Sequence, residues 1–428
     1  MRISVISDDL TGASDCGGQL IRYGFDVSVI LEPQAEGLRN KDAVIIDTDS
    51  RSVSAQEAYR RVKAACESLR AEPFDIIYKK IDSTMRGNIG QEINAVFDAF
   101  RPELVVIAPG FPQNGRTVEE GVMYLSGKPL HETEVAKDPK TPVRDSLITR
   151  LIQEQAGKEV GHLSRSDLRQ PPEIVSAKLA ALQERGVAYI TADSADAEDL
   201  ERLARHMKHT GKSIVWVGSA GLMSALPQAY GFEPQTKRVA LAAHETPVLL
   251  VVGSVSAIGR EQLRRLLAEP GTAGIEVRAE EIIREGAPLQ LEWSRVLPEA
   301  EAAVKAGRHI ALYSSSEVER TQRLGRELGC SPVDISNRIS RVLGEWAVRI
   351  ADRFDLRYLF LTGGDTARQV FQQLGADEFH LLDEVEPGIP LGTVRKPGKD
   401  LYAVTKAGNF GSESAMIKAA RKLRGGER

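Results

Sequence analysis

Two adjacent carboxylates follow the first apolar run of the chain. Asp8 and Asp9 follow Ile3–Ile6 after one intervening residue, Ser7. At the end of a strand, such a pair can accept hydrogen bonds from the hydroxyls of a ligand or hold a metal ion. A structural purpose is the alternative, because Asp9 or Thr11 can also cap a following helix.

A second polar loop follows the Ile76–Tyr78 run and combines cations, hydroxyls and a carboxylate. Arginine or lysine can pair with the carboxylate of a small anion, while aspartate and serine can hold its hydroxyls. Arg51 follows the Ala43–Asp47 run and can add a guanidinium to the same rim, although a solvated turn is the alternative there. The candidate residues of the second loop are Lys80, Asp82, Ser83, Thr84 and Arg86.

Three glycine-rich loops in the second half of the chain have the composition of phosphate-binding turns. Two of them, at 253–256 and 362–367, join an apolar run to a helical pattern, and the third covers 406–411. Backbone N–H groups at a helix N-terminus suit a phosphate, and glycine lets the backbone approach it closely. The candidate nucleotide-binding residues are Ser254, Gly363, Gly364, Asp365, Thr366, Gly408 and Asn409.

The acidic residue of the second glycine-rich loop has more than one chemical interpretation. Asp365 can act as a base toward a hydroxyl or face Mg²⁺, and a plain helix cap would look the same in sequence. The 406–411 loop likewise fits either a nucleotide cover or an ordinary turn.

The elements that position these loops alternate along the chain. Short β-branched runs such as Leu104–Ala108 and Ile214–Val217 are separated by helical patterns such as Ser54–Leu69 and Ile89–Phe100. This alternation predicts an α/β fold with mostly parallel sheets flanked by helices, and ligands then bind beyond the carboxyl ends of the strands.

The strand pattern restarts at Pro247, after a stretch without clear periodicity. We therefore predict an N-terminal domain over 1–232, a linker over 233–246 and a C-terminal domain over 247–428. The restarted pattern includes Ile310–Tyr313, Tyr358–Leu361 and Leu401–Val404 as strands and Asp334–Asp352 as a helix.

Composition narrows the class of protein. The 428-residue chain has a formal net charge of -4, so nothing in its overall charge favours nucleic acid or an anionic membrane. Cys16, Cys66 and Cys330 are far apart, which favours a reducing compartment. The N-terminus does not fit a signal peptide, and no segment approaches the roughly 20 apolar residues of a membrane span. We expect a cytoplasmic protein.

Several misleading motifs can be set aside. Thr210–Ser213 ends like a phosphate-binding loop, but it lacks the upstream glycine and precedes a strand pattern. A dinucleotide signature is absent after the first strand. The histidines show no metal-ligand spacing, and we interpret His206 and His209 as a solvated pair. The metal ligands therefore remain unidentified at this stage.

Taken together and in this order, the motifs resemble the four-carbon acid sugar kinase family. The resemblance extends from the first strand nearly to the end of the chain, and the order of its motifs is more specific than any one of them. The segments that carry it are Asp8–Gly12, Lys79–Asn88, Pro109–Arg116, Gly253–Ser254, Gly363–Ala367 and Gly408–Gly411.

The resemblance implies a sugar-acid-binding N-terminal domain and an ATP-binding C-terminal domain, with the ligands in a cleft between them. Asp9, Arg51 and the Lys80–Arg86 loop fall on the sugar-acid side. Ser254, the 363–366 turn and Gly408 fall on nucleotide positions. Members act on threonate, erythronate or 3-oxo-tetronate, and the 80–87 loop looks closest to that of the D-threonate kinases.

The implied reaction is transfer of a phosphoryl group from ATP, with Mg²⁺, to the terminal hydroxyl of the sugar acid. Such transfer depends mainly on positioning and charge neutralisation. Arg86, Arg51 or Lys80 would hold the substrate carboxylate, and Asp9, Asp82 and Ser83 would orient hydroxyls. Asp365 is the candidate base, with Asp8, Asp9 or Asp82 as alternatives.

Two other classes of function fit parts of the pattern. A nicotinamide-dependent dehydrogenase of sugar acids also uses βαβ units, but the glycine signature it needs is missing. A non-catalytic sugar-acid sensor would not need both glycine-rich C-terminal loops. Two-fold dimers are the commonest homo-oligomers, so a homodimer is our expectation for assembly.

Overall fold

Runs of β-branched residues form the strands of the computed structural model, and the amphipathic segments between them form its helices. The structure describes residues 1–31, 41–70, 72–138, 140–235, 239–253, 256–315, 317–396 and 399–425. The chain divides into two compact units, Met1–Thr236 and Lys237–Arg428.

The first unit is built on a parallel sheet in the order β2-β3-β1-β4-β11-β5-β10-β9, beside an antiparallel β6-β7-β8 sheet. Its strands are β1 Ile3–Ser7, β2 Val27–Ile30, β3 Ala43–Asp47, β4 Ile76–Lys80, β5 Leu104–Ala108, β6 Arg116–Glu119, β7 Val122–Leu125, β8 Lys128–Pro129, β9 Val160–Leu163, β10 Tyr189–Ala192 and β11 Ile214–Gly218. Its helices are α1 Leu10–Ile21, α2 Ala55–Leu69, α3 Ile89–Phe100, α4 Ile148–Ala156, α5 Arg165–Leu168, α6 Pro172–Glu184, α7 Ala197–His209 and α8 Ala220–Ala229.

The second unit has a mixed sheet in the order β13-β14-β12-β15-β18-β17-β16, antiparallel only where β16, β17 and β18 pair. Its strands are β12 Leu249–Val252, β13 Thr272–Val277, β14 His309–Ser314, β15 Tyr358–Thr362, β16 Glu378–Glu386, β17 Ile389–Lys396 and β18 Lys399–Lys406. Its helices are α9 Ala257–Leu267, α10 Ala279–Arg284, α11 Gly286–Lys305, α12 Val318–Glu327, α13 Pro332–Arg353, α14 Gly364–Leu374 and α15 Ala415–Leu423.

The central strands are buried on both faces. Every residue of β1, β3 and β5 is buried, as expected for a parallel sheet covered by helices on each side. Each unit has a hydrophobic core of its own, around Ile46, Val96 and Val105 in the first unit and around Leu250, Phe360 and Val404 in the second.

The predicted fold class is confirmed, because both units are α/β with mostly parallel sheets. The described residues of the predicted 233–246 linker form neither helix nor strand. A strand begins at Ile214 directly after the segment that ends like a phosphate-binding loop, as predicted. The short β9 strand, the antiparallel β6, β7 and β8 strands and the β16–β17 pair were not predicted.

One histidine prediction is wrong. His206 is 9% exposed and its Nε2 contacts the carbonyl oxygen of Leu168 at 2.9 Å, whereas His209 is exposed. On α7, His206 lies on the face that packs inward, and this contact with α5 satisfies one of its nitrogens. Within the ranges that the structure describes, no helix is both long and apolar enough to cross a bilayer.

Candidate active-site residues

The predicted sugar-acid residues follow adjacent strands of the first sheet. Ser7, the last residue of β1, is in register with Asp47 of β3 and Lys80 of β4. The loops that begin at Asp8, at Thr48 and at Ile81 therefore leave the same edge of the sheet, at the carboxyl ends of parallel strands.

The first of these loops turns directly into α1. Asp9 is the N-cap of this helix, and its Oδ1 accepts a hydrogen bond from the Gly12 amide at 2.7 Å. The capping interpretation of Asp9 is thus confirmed. A Cβ atom on Gly12 would lie 2.5 Å from Nζ of Lys80, so glycine lets the ammonium lie against the first turn of the helix.

Arg51 connects both acidic residues of the first loop. Its Nε and Nη2 donate to the two carboxylate oxygens of Asp8 at 2.7 and 3.0 Å, and its Nη1 donates to Asp9 Oδ2 at 2.6 Å. Burial alone would raise the pKa of Asp8, but the Arg51 guanidinium and the Lys79 and Lys80 ammonium groups hold it below its ordinary value. Burial and the Asp8 charge raise the pKa of Asp9.

Arg86 forms a second guanidinium–carboxylate pair beside the first. Its Nε and Nη2 donate to Asp82 at 2.7 and 3.1 Å, and its Nη1 lies 3.2 Å from Asp138. Burial opposes ionisation of Asp82, yet Arg86 and Arg51 hold the pKa of this carboxyl well below its ordinary value. Thr84 also donates its hydroxyl to Asp82.

Hydrogen bonds from the Asn88 side chain hold the 82–88 loop against the segment that carries Arg51. The Asn88 side chain donates to the carbonyl oxygens of Ser50 and Val53 at 3.0 and 2.9 Å. Gly87 has a φ of +99°, and a Cβ atom there would lie 3.0 Å from Cγ of Arg51. A side chain at this position would be strained in conformation and would press on the arginine.

The two lysines of β4 serve different purposes. Lys79 is fully buried, and its Nζ lies 2.7 Å from Glu92 of α3, which makes it a structural residue. Nζ of Lys80 donates to the carbonyl oxygen of Ile81 at 2.9 Å. Burial opposes its charge, but Asp8 and Asp9 raise the pKa of Lys80 above its ordinary value. The ammonium is thus held charged among the predicted substrate ligands.

The predicted nucleotide loops of the second unit also lie side by side. Val252 of β12 is in register with Thr362 of β15, which is in register with Lys406 of β18. The amide of Gly253 donates to the Thr362 carbonyl oxygen, and the amide of Gly363 donates to that of Lys406, each at 3.1 Å. The three strand ends are therefore hydrogen-bonded to one another.

Glycine is required where these strand ends meet α14. A Cβ atom on Gly253 would lie 1.9 Å from Oγ1 of Thr366, and Gly363 has a φ of +95°. Gly363 is the N-cap of α14, so the N-cap alternative for Asp365 is wrong. Asp365 lies in the first turn of the helix and is exposed, whereas Thr366 is buried.

The 406–411 loop is held by two polar side chains, the buried Lys406 and the partly buried Ser256. Nζ of Lys406 donates to the carbonyl oxygens of Ala407, Gly408 and Phe410 at 2.7, 3.1 and 3.1 Å. The Ser256 hydroxyl donates to the Gly408 carbonyl oxygen at 2.7 Å. Burial lowers the pKa of Lys406 to about 7. Asn409, at the tip of the turn, is exposed.

Two further predictions concern Ser254 and the metal ligands. Ser254 lies outside the described residues. Across the part of the chain that the structure describes, no group of three or more histidine, cysteine or acidic side chains is arranged to hold a metal ion. A magnesium ion held mainly by phosphate oxygens would not need such a group.

The structure thus brings the sugar-acid candidates together in one unit and the described nucleotide candidates together in the other. Asp138 and Lys406 were not among the predicted site residues. Asp138 reaches Arg86 from a distant part of the chain, which no local pattern reveals.

Comparisons with known proteins agree with this division. Residues 3–226 match the family model of a sugar-binding N-terminal domain, and residues 249–416 match that of a nucleotide-binding C-terminal domain. A D-threonate kinase of Salmonella typhimurium is 35% identical over 98% of this chain and 97% of its own length. A D-erythronate kinase of Heliobacterium modesticaldum is 30% identical over 96% of this chain and 95% of its own length.

A solved structure supports the fold. A Salmonella typhimurium protein that was solved as a tRNA synthase superposes with a TM-score of 0.80 at 24% identity, over 98% of this chain and 99% of its own. Fold, domain matches and relatives define the chain as a two-unit α/β carbohydrate kinase, a phosphotransferase acting on an alcohol group. Within that class, the chain belongs to the four-carbon acid sugar kinase family.

Proposed function

We propose that this kinase phosphorylates the terminal hydroxyl of D-threonate, using ATP and Mg²⁺, to give 4-phospho-D-threonate. The observation that carries the proposal is the 35% identity, over nearly the whole chain, to a D-threonate kinase. D-Erythronate is the second candidate, because a D-erythronate kinase is 30% identical over almost the same length.

The first unit supplies the ligands for the sugar acid in this proposal. Arg86 binds the substrate carboxylate, with Arg51 and Lys80 adding positive charge. The Arg86 side chain is 32% exposed against 15% for that of Arg51, so it is the better placed of the two to meet an incoming anion. Asp9 and Asp82 accept hydrogen bonds from substrate hydroxyls. Asp8, Ser83 and Thr84 complete the proposed substrate-binding residues.

The backbone of the second unit is suited to binding a nucleotide. Gly253 packs so closely on Thr366 that a Cβ atom would overlap the Thr366 hydroxyl, and Gly363 has a backbone conformation that favours glycine. The amides of Gly364 and Asp365 open α14 and suit phosphate oxygens. Ser254, Gly408 and Asn409 are the remaining proposed nucleotide residues.

Mg²⁺ and the catalytic base are proposed on chemical grounds. Bound Mg²⁺ would neutralise charge on the phosphate oxygens, and Asp365 is the described acidic residue beside the proposed phosphate-binding turn. Asp8 and Asp82 are weak bases because nearby cations lower the pKa of each. Asp365 is therefore our proposed base, and Asp9 is the alternative from the first unit.

The test is ADP release, measured by a coupled assay with Mg-ATP and a panel of acids. The panel contains D- and L-threonate, D- and L-erythronate and 3-oxo-tetronate. We expect the largest kcat/KM for D-threonate, with phosphate on the terminal oxygen by NMR. A preference for D-erythronate or 3-oxo-tetronate would mean that the proposed reaction is right but that D-threonate is not the substrate. If folded protein that binds ATP released no ADP with any acid of the panel, the proposed substrate class would be refuted.

A further inference from the structure

Side chains hold almost every carbonyl oxygen of the turn that follows β18. Among the described residues, each carbonyl oxygen from Ala407 to Ser412 except that of Asn409 accepts a hydrogen bond from a side chain. The two main donors are almost fully buried, because Lys406 is 1% exposed and Gln262 is 0% exposed. Burying such polar groups costs free energy unless their hydrogen bonds are made, so the arrangement needs a reason.

Lys406 and Gln262 approach this 406–412 turn from different elements. Nζ of Lys406, at the end of β18, donates to the first three of the oxygens that side chains hold, at 2.7, 3.1 and 3.1 Å. Nε2 of Gln262, on α9, donates to the last three, those of Phe410, Gly411 and Ser412, at 3.0, 3.3 and 2.8 Å. The Phe410 oxygen is shared by both donors. The backbone of the turn is therefore fixed by the sheet and by a helix.

The direction of these carbonyl groups fixes the direction of the amides. In a trans peptide group, the C=O bond of one residue and the N–H bond of the next point opposite ways. The carbonyl groups that Lys406 holds point at its ammonium, so the amides that follow them, those of Gly408, Asn409 and Gly411, point away from it. In the part of the chain that the structure describes, none of these three amides donates to another group. Asn409 and Gly411 are exposed and Gly408 is partly exposed, so a ligand can reach the turn.

The amide of Ser412 shows what an N–H group directed in this way can bind. It follows the Gly411 carbonyl group that Gln262 holds, and it donates to Oε2 of Glu386 at 2.7 Å. The Ser412 hydroxyl donates to Oε1 of the same carboxylate. One end of the turn thus already binds an oxyanion. Lys418 pairs with that carboxylate at 2.6 Å, so Glu386 adds little net negative charge beside the turn.

We propose that Lys406 and Gln262 are positioning residues for the nucleotide, which hold the 406–412 turn so that its amides donate to phosphate oxygens of ATP. The inference rests on the proposed function, since ATP is the ligand proposed for this unit. Successive backbone amides that point the same way form an anion-binding nest, and the Lys406 ammonium behind the turn adds positive charge. Neither side chain touches the nucleotide, because each acts through the backbone that it holds.

The experiment measures Kd for Mg-ATP and for adenosine with the full chain as wild type, Lys406→Met and Gln262→Met. Methionine is similar in size to both side chains but cannot donate. We expect Kd for ATP to rise about tenfold for Lys406→Met and about fivefold for Gln262→Met, because the amides lose their fixed direction. Kd for adenosine, which has no phosphate, should stay within about threefold. In the ADP-release assay, KM for ATP should rise while KM for the tetronate stays unchanged.

Lys422→Met is the matched control in the same unit. The Lys422 side chain, on α15, is 13% exposed, and its Nζ donates to Asp383 and to the carbonyl oxygen of Glu384 at 2.6 and 2.8 Å. This variant therefore removes a largely buried ammonium that holds β16 and not the 406–412 turn. It should lower the melting temperature and leave both Kd values unchanged.

Three outcomes would overturn the inference. An unchanged Kd for ATP in folded Gln262→Met, an equal loss of affinity for adenosine, or an equal loss of affinity for ATP in Lys422→Met would each leave Lys406 and Gln262 structural residues. Gln262→Met decides the matter if circular dichroism shows that Lys406→Met does not fold. Wild-type protein that binds no ATP would instead refute the proposed function, so the two failures are distinguished.

Discussion

At the scale of single residues, opposite charges are paired before any substrate arrives. Arg51 uses three of its N–H groups on Asp8 and Asp9, and Arg86 is shared between Asp82 and Asp138. These contacts hold the side chains in one geometry, so a ligand meets a preorganised set of donors and acceptors. They also make each partner dependent on the other, because a buried charge without its partner is costly.

Arg51→Met should therefore be strongly destabilising. We expect the free energy of unfolding to fall by about 3–5 kcal/mol, since the buried Asp8 carboxylate loses its partner, with kcat/KM falling at least tenfold. Urea denaturation at pH 7.5 measures the first effect. Arg60→Met is the control, because its guanidinium pairs with Glu57 on an exposed helix face, where such pairs contribute about 0–1 kcal/mol. Equal stability of the two variants would contradict the prediction.

At the scale of elements, the strand–turn–helix connections bring the nucleotide residues together. Buried side chains hold the turn after β18. Lys406 donates to three of its carbonyl oxygens, and the Gln262 side chain of α9 donates to those of Phe410 and Ser412 at 3.0 and 2.8 Å. The turn is thus tied to both the sheet and a helix.

The buried ammonium of Lys406 should make stability depend on pH. The pKa of Lys406 is about 7 in the folded state against 10.5 for a free lysine, so the unfolded chain binds more protons between these values. Stability therefore rises with pH above 7, while the full cost of the buried charge is present below it. Relative to Lys406→Met, wild type should gain about 1–3 kcal/mol between pH 7 and 9.

Urea denaturation at several pH values checks this prediction. Lys305→Met on α11 is the control, because the Lys305 side chain is 74% exposed and pairs with Glu301 on the helix surface. The difference between wild type and this control should stay constant from pH 7 to 9. A constant difference for Lys406→Met as well would mean that the ammonium remains charged throughout.

At the scale of the whole molecule, each unit contains its own core and its own set of candidate ligands. The hydrophobic cluster around Val96 lies within Met1–Thr236, and the cluster around Phe360 lies within Lys237–Arg428. A unit with its own core can fold alone. The sugar-binding and nucleotide-binding domain matches divide the chain in the same order.

Residues 1–236 and 237–428, expressed separately, should each fold and bind one ligand. Calorimetry should show the tetronate binding to the first unit and ATP to the second, each within about tenfold of the affinity in the full chain. Neither unit alone should release ADP, because phosphoryl transfer needs both reactants positioned together. Tetronate binding by the second unit, or ATP binding by the first, would reverse the proposed division.

The sequence by itself determined the elements and the loops that carry chemistry. β-Branched runs and helical periodicity depend on neighbours in the chain, so the strands and helices could be predicted from local patterns. Polar and glycine-rich loops after the strands then indicated both candidate sites, because parallel strands bring their carboxyl ends to one edge. Gly363 was predicted in a phosphate-type turn and has a φ of +95°.

Only the tertiary structure decided which side chains meet. The contact of Arg86 with Asp138 and the contact of the buried His206 with Leu168 depend on segments that are distant in sequence. The sequence indicated that Lys406 lies at the start of a loop, but it did not indicate that the ammonium group of Lys406 lies inside that loop. Such contacts follow from how helices and loops pack on the sheet, and local patterns contain no information about that packing.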